Sequence, residues 1–333
     1  LSLAGGAVGR PHRRYSRRCG APTGRLIGGR RACHIAWPPF AVYNINEIRA
    51  NAKGAEMPLH ESFVTEDDQA LMAAFLVDGH VVRPVANRDG LDALRAEVVA
   101  AACRHLGQPP ADDPDAFLNQ LHDDLAVADL NDLRLAVYNH MNAQSWFRPT
   151  YYSFAKPYLD VLVGNELAMQ NRINFSIQMA GDTSSLLAAH VDAFSGETPF
   201  QAVQWLPLVD VFETKAMFLL PPAKNREIIP RLRDIMERGG GEAVFDAIRD
   251  VVIWVPVPYG QVMIFSPNLL HGNVINETGT TRWSMNTRFT GLFTPYFSDE
   301  KSLGGFYLPI TTRPVSRVGM AYDIPEGFKG AGA

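Results

Sequence analysis

The sequence predicts a mainly β core flanked by helices, an α+β chain. Two kinds of pattern predict it. Residues 172–179 alternate between apolar and polar, and 282–290 do so with Thr287 standing on the otherwise apolar face, the period of a strand with one buried face. Between residues 65 and 142 the apolar spacing is helical and is punctuated by capping residues and glycine.

The elements follow in order. Thr65 with Glu66, Asp67 and Asp68 reads as a helix N-cap with acids in the first turn, where they meet the positive end of the helix dipole. Helices are predicted over 66–78 and 89–106, the second stopped by Gly107 with Pro109 and Pro110 beyond. Residues 114–142 read as further helix, with Leu121, Leu125, Leu130, Leu133 and Val137 on its buried side. The aromatic-rich stretch 151–168 reads as another. Strands are predicted to dominate 171–220, to give way at Pro221-Pro222 to a charged helical insertion over about 224–250, and to resume over 251–293. In the first alternating stretch Ile173, Phe175, Ile177 and Met179 share one face, and Arg172, Asn174, Ser176 and Gln178 the other. In the second, Trp283, Met285, Thr287 and Phe289 oppose Arg282, Ser284, Asn286 and Arg288. Residues 294–333 show no clear period and are read as a cover over the mouth of the β core.

The 333 residues are 47% hydrophobic and 20% charged, ordinary values for a globular chain. The charge is uneven. Residues 1–56 hold 10 of the 31 Lys and Arg but 2 of the 35 Asp and Glu, which leaves 57–333 at net −12. Such an acidic unit disfavours binding to a phosphate backbone. The basic 1–56 segment admits three readings: a transit-like leader, a nucleic-acid arm, or a disordered, non-native extension read ahead of a start at Met57. The third is expected, with residues 57–333 forming one domain: a helical part over 57–170, a β core over 171–293 and the cover over 294–333. No apolar run is long enough to span a bilayer. The scattered Cys19, Cys33 and Cys103 have neither disulfide nor zinc spacing, and a reducing cytoplasm is expected. Oligomeric state is not legible.

The chemistry concentrates in His190-Val191-Asp192, with His271 later in the chain. On an extended backbone His190 and Asp192 point the same way. A second imidazole brought in from a distant strand makes two His and one carboxylate, the facial triad of non-haem Fe(II) sites, which leaves three coordination positions open. Arg282 and Arg288 lie on one face of a core strand and need anions. Either a structural salt bridge or recognition of a ligand carboxylate by the guanidinium fork would satisfy them.

With these residues set out, the stretch from Arg172 to Phe293 resembles the double-stranded β-helix, a jelly-roll, cupin-like core, of Fe(II)/2-oxoglutarate-dependent oxygenases. The spacing from His271 to Arg282 resembles the phytanoyl-CoA-dioxygenase-like branch. Asn174-Phe175, His190-Val-Asp192, Gly196-Glu-Thr-Pro-Phe200, Trp205-Leu-Pro-Leu208, Leu270-His-Gly-Asn273 and the strand from Arg282 to Arg288 are similar to oxygenases of bacterial carbohydrate and aminoglycoside clusters, the streptomycin-cluster type among them. The resemblance implies that His190, Asp192 and His271 ligate Fe(II), with 2-oxoglutarate and O2 as co-substrates. It implies that Arg282 and Ser284 hold 2-oxoglutarate, that Asn174 touches it or the metal-bound water, and that Arg288 is a second anchor or faces the substrate. The two arginines could exchange roles. Arg172 and Gln178 are weaker candidates for substrate contact. An intact Asp192 argues against the halogenase variant, which carries a small residue at that position. The implied reaction is oxidation of a small polar metabolite, most simply its hydroxylation. The alternative is a cupin-like metal barrel with a non-oxidative isomerase or sugar-binding role.

Overall fold

A computed structural model describes residues 63–323. The expectations for residues 1–56, and for a start at Met57, lie outside the described residues.

The N-terminal part is helical, as its caps predict. Helix α1 (Glu66–Asp78) starts where the Thr65 hydroxyl accepts the Asp68 N–H at 3.1 Å and ends on left-handed Gly79. Strand β1 (His80–Pro84) follows at once and was not anticipated, because two valines are too few to show a period. Helix α2 (Arg88–Leu106) ends at Gly107 as expected. The stretch 114–142 is broken rather than continuous, into α3 (Pro114–Asn119), α4 (Leu121–Asp124) and α5 (Leu130–Asn142). Its predicted inner residues Leu121, Leu130, Leu133 and Val137 are buried. Residues 151–168 are not one helix either. They divide among α6 (Phe147–Ser153), α7 (Lys156–Leu162) and the start of strand β2 (Leu167–Gln170), and left-handed Gly164 marks the turn into β2.

The β part forms two antiparallel sheets. Its strands are β3 (Asn174–Gln178), β4 (Gln201–Pro207), β5 (Phe218–Leu219), β6 (Ile253–Trp254), β7 (Gln261–Phe265), β8 (His271–Gly272), β9 (Arg282–Gly291) and β10 (Tyr307–Pro309). The larger sheet runs β1-β7-β4-β9-β2-β10, with β3 also pairing β9, and the smaller runs β6-β5-β8. Among the described residues the two sheets share no ladder, so the β core is a pair of antiparallel sheets and not a closed barrel. The helical insertion is present as α8 (Pro222–Ile228) and α9 (Leu232–Ile248), the latter kinked at Gly239-Gly240. The predicted cover is partly strand: β10 extends the larger sheet beside β2, and α10 (Pro314–Met320) follows.

The alternation of β9 decides which side of the larger sheet is dry. Trp283, Met285 and Phe289 pack with Ile173, Phe175 and Ile177 of the neighbouring strand region against Leu94, Val98, Leu133 and Val137 of the helices. Arg282, Ser284, Asn286 and Arg288 face the other way, into a cavity of about 300 Å³ whose wall also includes His271 and Gly272 of the smaller sheet.

Candidate functional site

The chain segment before Asp192 reaches the cavity by pairing with β8. His190 N–H donates to the His271 carbonyl at 2.9 Å and His271 N–H returns the bond at 3.0 Å. The Asn273 N–H donates to the Leu187 carbonyl at 3.1 Å. Gly272 makes this approach possible: a Cβ there would meet the Leu187 carbonyl oxygen and the Phe218 ring at 2.9 Å each. His190-Val-Asp192 is not a regular strand, since Asp192 opens a 3-10 turn ending at Ser195. Val191 is nonetheless extended at φ −123°, ψ 120°, and that single residue puts His190 and Asp192 on the same side.

One potential ligand atom from each of His190, Asp192 and His271 lies within 4.8 Å of the others. Asp192 Oδ1 is 3.3 Å from His190 Nε2 and 3.9 Å from His271 Nε2. Each imidazole is oriented from behind. His190 Nδ1 lies 2.8 Å from the Ala188 carbonyl and His271 Nδ1 2.8 Å from the Leu269 carbonyl. A carbonyl can only accept, so Nδ1 donates in both rings and turns Nε2 toward the cavity, where a bound cation would take its lone pair. Two such imidazoles and one carboxylate suit a divalent first-row cation.

Electrostatics keep the set ready for a cation. Burial alone would raise the Asp192 carboxyl. Hydrogen bonding to His190 and the charge of Arg288 outweigh it and hold the group well below the usual carboxylate range. Burial, with His190 beside it, pushes His271 down to about 4, so its ring is neutral at physiological pH.

The second feature of the cavity is an unanswered cation. Arg282 is 4% exposed, yet among the described residues its only hydrogen bond is Nη1 to the Lys215 carbonyl at 3.2 Å, and its buried Nε has no partner there. Burial lowers its pKa to about 10, which still leaves it charged. A buried guanidinium without an anion is costly, and a ligand carboxylate would relieve the cost. Ser284, 2% exposed and also on the cavity wall, adds a hydroxyl.

Comparisons with known proteins add little at the level of sequence: no protein-family model and no curated protein matches the chain. Some solved structures are similar in shape. A non-heme monooxygenase, ThoJ, in complex with Ni aligns at TM-score 0.46 and 19% identity over 74% of this chain and 85% of that one. HygX from Streptomyces hygroscopicus with nickel and 2-oxoglutarate bound aligns at 0.44 and 14%, over 70% and 89%. EctD from S. alaskensis in its apoform aligns at 0.43 and 18%, over 68% and 77%. Likeness of this extent does not assign the chain to a family, and its chemistry is read from its own residues.

The other residues singled out in the sequence divide. Asn174 lines the cavity and donates through Nδ2 to Asn286 Oδ1 at 2.9 Å. Arg288 lines it too, but its guanidinium is already engaged with Asp192 at 2.7 Å. Arg172 falls before β3, exposed, with its guanidinium 6.0 Å from the Tyr138 ring centre, and is not in the cavity wall. Gln178 is fully buried at the end of β3, donates to the Val274 carbonyl at 2.6 Å, and is likewise outside the wall. Trp283 and Trp205 both pack in hydrophobic clusters, Trp283 on the dry side of β9 and Trp205 with Met217 and Phe265, where it also lines the cavity. Ser185, Asn273 and the acid Glu197 were not anticipated. Ser185 and Asn273 lie in irregular segments, and Glu197 sits in a Gly-Glu-Thr-Pro turn that reads as a plain connection.

Proposed function

We propose that the chain is an Fe(II)- and 2-oxoglutarate-dependent oxygenase that oxidises, most simply by hydroxylation, a small polar metabolite such as a sugar or aminocyclitol. The carrying observation is that a His-Asp-His set and a buried guanidinium without an anion share one cavity. Bound by His190, Asp192 and His271, Fe(II) would couple oxidative decarboxylation of 2-oxoglutarate by O2 to oxidation of the substrate.

The chain's own residues then have separable tasks. The Nε2 atoms of His190 and His271 and Asp192 Oδ1 hold the metal. Arg282 binds the distal carboxylate of 2-oxoglutarate, and Ser284 donates a hydroxyl beside it. Asn174, Asn286 and Ser176 offer neutral hydrogen-bonding groups suited to substrate hydroxyls, which supports a polar, uncharged reacting part. Met217, Trp205 and Phe265 give the cavity apolar wall that excludes water. A small molecule fits such a cavity better than a polymer, and the acidic 57–333 unit supports the same reading. Assignment to the phytanoyl-CoA-dioxygenase-like branch and to a carbohydrate or aminoglycoside pathway is supported by the sequence resemblance. A non-oxidative metal barrel has no use for Arg282, so that alternative is not preferred.

The test is anaerobic titration of the protein with Fe(II) and then 2-oxoglutarate, followed by visible spectroscopy. A charge-transfer band that requires both additions, and that is lost in Asp192→Ala and in Arg282→Ala, is the expected result. Iron binding without any such band sinks the 2-oxoglutarate reading.

A further inference from the structure

The two oxygens of Asp192 have different environments. Oδ1 faces the imidazoles. Oδ2 accepts from Arg288 twice, from Nη2 at 2.7 Å and Nε at 3.0 Å. Arg288 Nη1 donates to Gln170 Oε1 at 3.1 Å, so all three of its nitrogens are spoken for. Behind it stands Glu197, 1% exposed, with Oε1 at 3.7 Å from Arg288 Nε. Glu197 in turn is held by the C-terminal segment: Tyr307 O–H donates to its Oε2 at 2.6 Å, and Lys301 Nζ lies 3.0 Å from its Oε1. The charges here close without a ligand, the buried Asp192 and Glu197 against the part-buried Arg288 and Lys301. Arg282 has no such partner, and this separates the two arginines that the sequence left interchangeable.

We propose that Arg288 is a positioning residue, not a co-substrate anchor. It occupies Asp192 Oδ2 and so commits the carboxylate to bind metal through Oδ1 alone, while Glu197, braced by Tyr307 and Lys301, keeps Arg288 in place. The inference rests on the metal-site reading above. Its physical basis is geometric. A carboxylate free to turn can offer both oxygens to a cation and fill a position that a chelating co-substrate needs. A bidentate hydrogen-bonded clamp on one oxygen removes that option. The clamp also ties the metal centre to residues 301–307, which are distant in sequence from all three ligands.

The test uses Co(II), whose visible spectrum reports coordination, added anaerobically to the full chain before any 2-oxoglutarate. Wild type, Arg288→Gln, Arg288→Lys, Glu197→Gln and Arg282→Gln are compared, each checked for folding by circular dichroism. The expected result is that Arg288→Gln shifts or loses the Co(II) bands, that Arg288→Lys restores them in large part, and that Glu197→Gln shifts them in the same direction by less. Arg282→Gln keeps the wild-type Co(II) spectrum but loses the change that 2-oxoglutarate produces. If Arg288→Gln fails to fold, Glu197→Gln decides. The proposal is overturned if Arg288→Gln, or in its absence Glu197→Gln, superimposes on wild type, or if Arg288→Gln keeps the Co(II) spectrum and alone loses the response to 2-oxoglutarate. A wild-type protein that binds no Co(II) overturns the metal reading itself, an outcome distinct from either.

Discussion

Lys215 carries a cation in a place that does not favour one. It is 1% exposed, and its Nζ reaches only neutral oxygens, Asn119 Oδ1 at 2.8 Å and Thr280 Oγ1 at 2.9 Å. Burial lowers its pKa from 10.5 to about 8, against the pull of Asp115 and Asp210. The unfolded chain therefore binds more protons than the folded one between about pH 8 and 10.5, and stability rises with pH across that window. Wild type should gain stability relative to Lys215→Met between pH 8 and 10 when urea unfolding is followed at each pH. The raised pKa values of Tyr296 and Tyr307 act in the opposite sense above pH 10, but are common to both proteins and cancel in the difference. A flat difference would mean that Lys215 titrates normally. The backbone carbonyl of Lys215 is the one that Arg282 touches, while its ammonium turns away to Asn119 and Thr280 and is not in the cavity wall.

At the scale of elements, the close approach of the 187–190 segment to β8 decides whether the triad exists. Only two residues make up β8, and its partner segment is irregular. The register rests on the paired amides of His190 and His271 and on the absence of a side chain at Gly272. Gly272→Ala places a methyl against backbone and a ring that cannot both retreat cheaply, so the segment moves and the two imidazoles separate. A loss of metal affinity of about tenfold or more is expected, measured by Co(II) titration, with a fall in stability on the order of 1–3 kcal/mol. Unchanged affinity would show that the segment yields without carrying His190 with it. By contrast β9 is ten residues long and paired over most of its length with β3 or β4, so Arg282, Ser284 and Arg288 are held in a register that one substitution does not shift.

At the scale of the molecule, the cavity is a joint between two sheets that share no ladder. His271 belongs to the smaller sheet and Arg282 to the larger. A metal held by His271 together with a dicarboxylate held by Arg282 would link both sheets through the ligand. Binding to the folded state alone adds about 2.7 kcal/mol at a hundredfold excess over Kd. Divalent metal and 2-oxoglutarate together should raise the melting temperature by more than the sum of their separate effects, read by differential scanning fluorimetry. Simple additivity would show that the two ligands do not bridge.

The sequence by itself determined what is periodic and what is chemical. The alternation in Arg282–Phe289 is a property of neighbours in the chain, so the dry and wet faces of β9 were legible. So were the Thr65 cap and the Gly107 stop, which act within a few residues. His190, Asp192 and His271 stood out because few residue types can hold such a metal. Tertiary structure decided the rest. It divided the β core between a larger and a smaller sheet and split residues 151–168 into short helices and a strand, because short segments take their form from packing rather than propensity. It also gave Arg288 its partner. Asp192 and Glu197 lie more than ninety residues away along the chain and meet Arg288 because the segment that carries them is held at one end by the pairing of His190 with β8 and at the other by the pairing of β4 with β9. Ion pairs of that kind leave no periodic trace in a sequence, since the energy that selects them exists only once the backbone has folded.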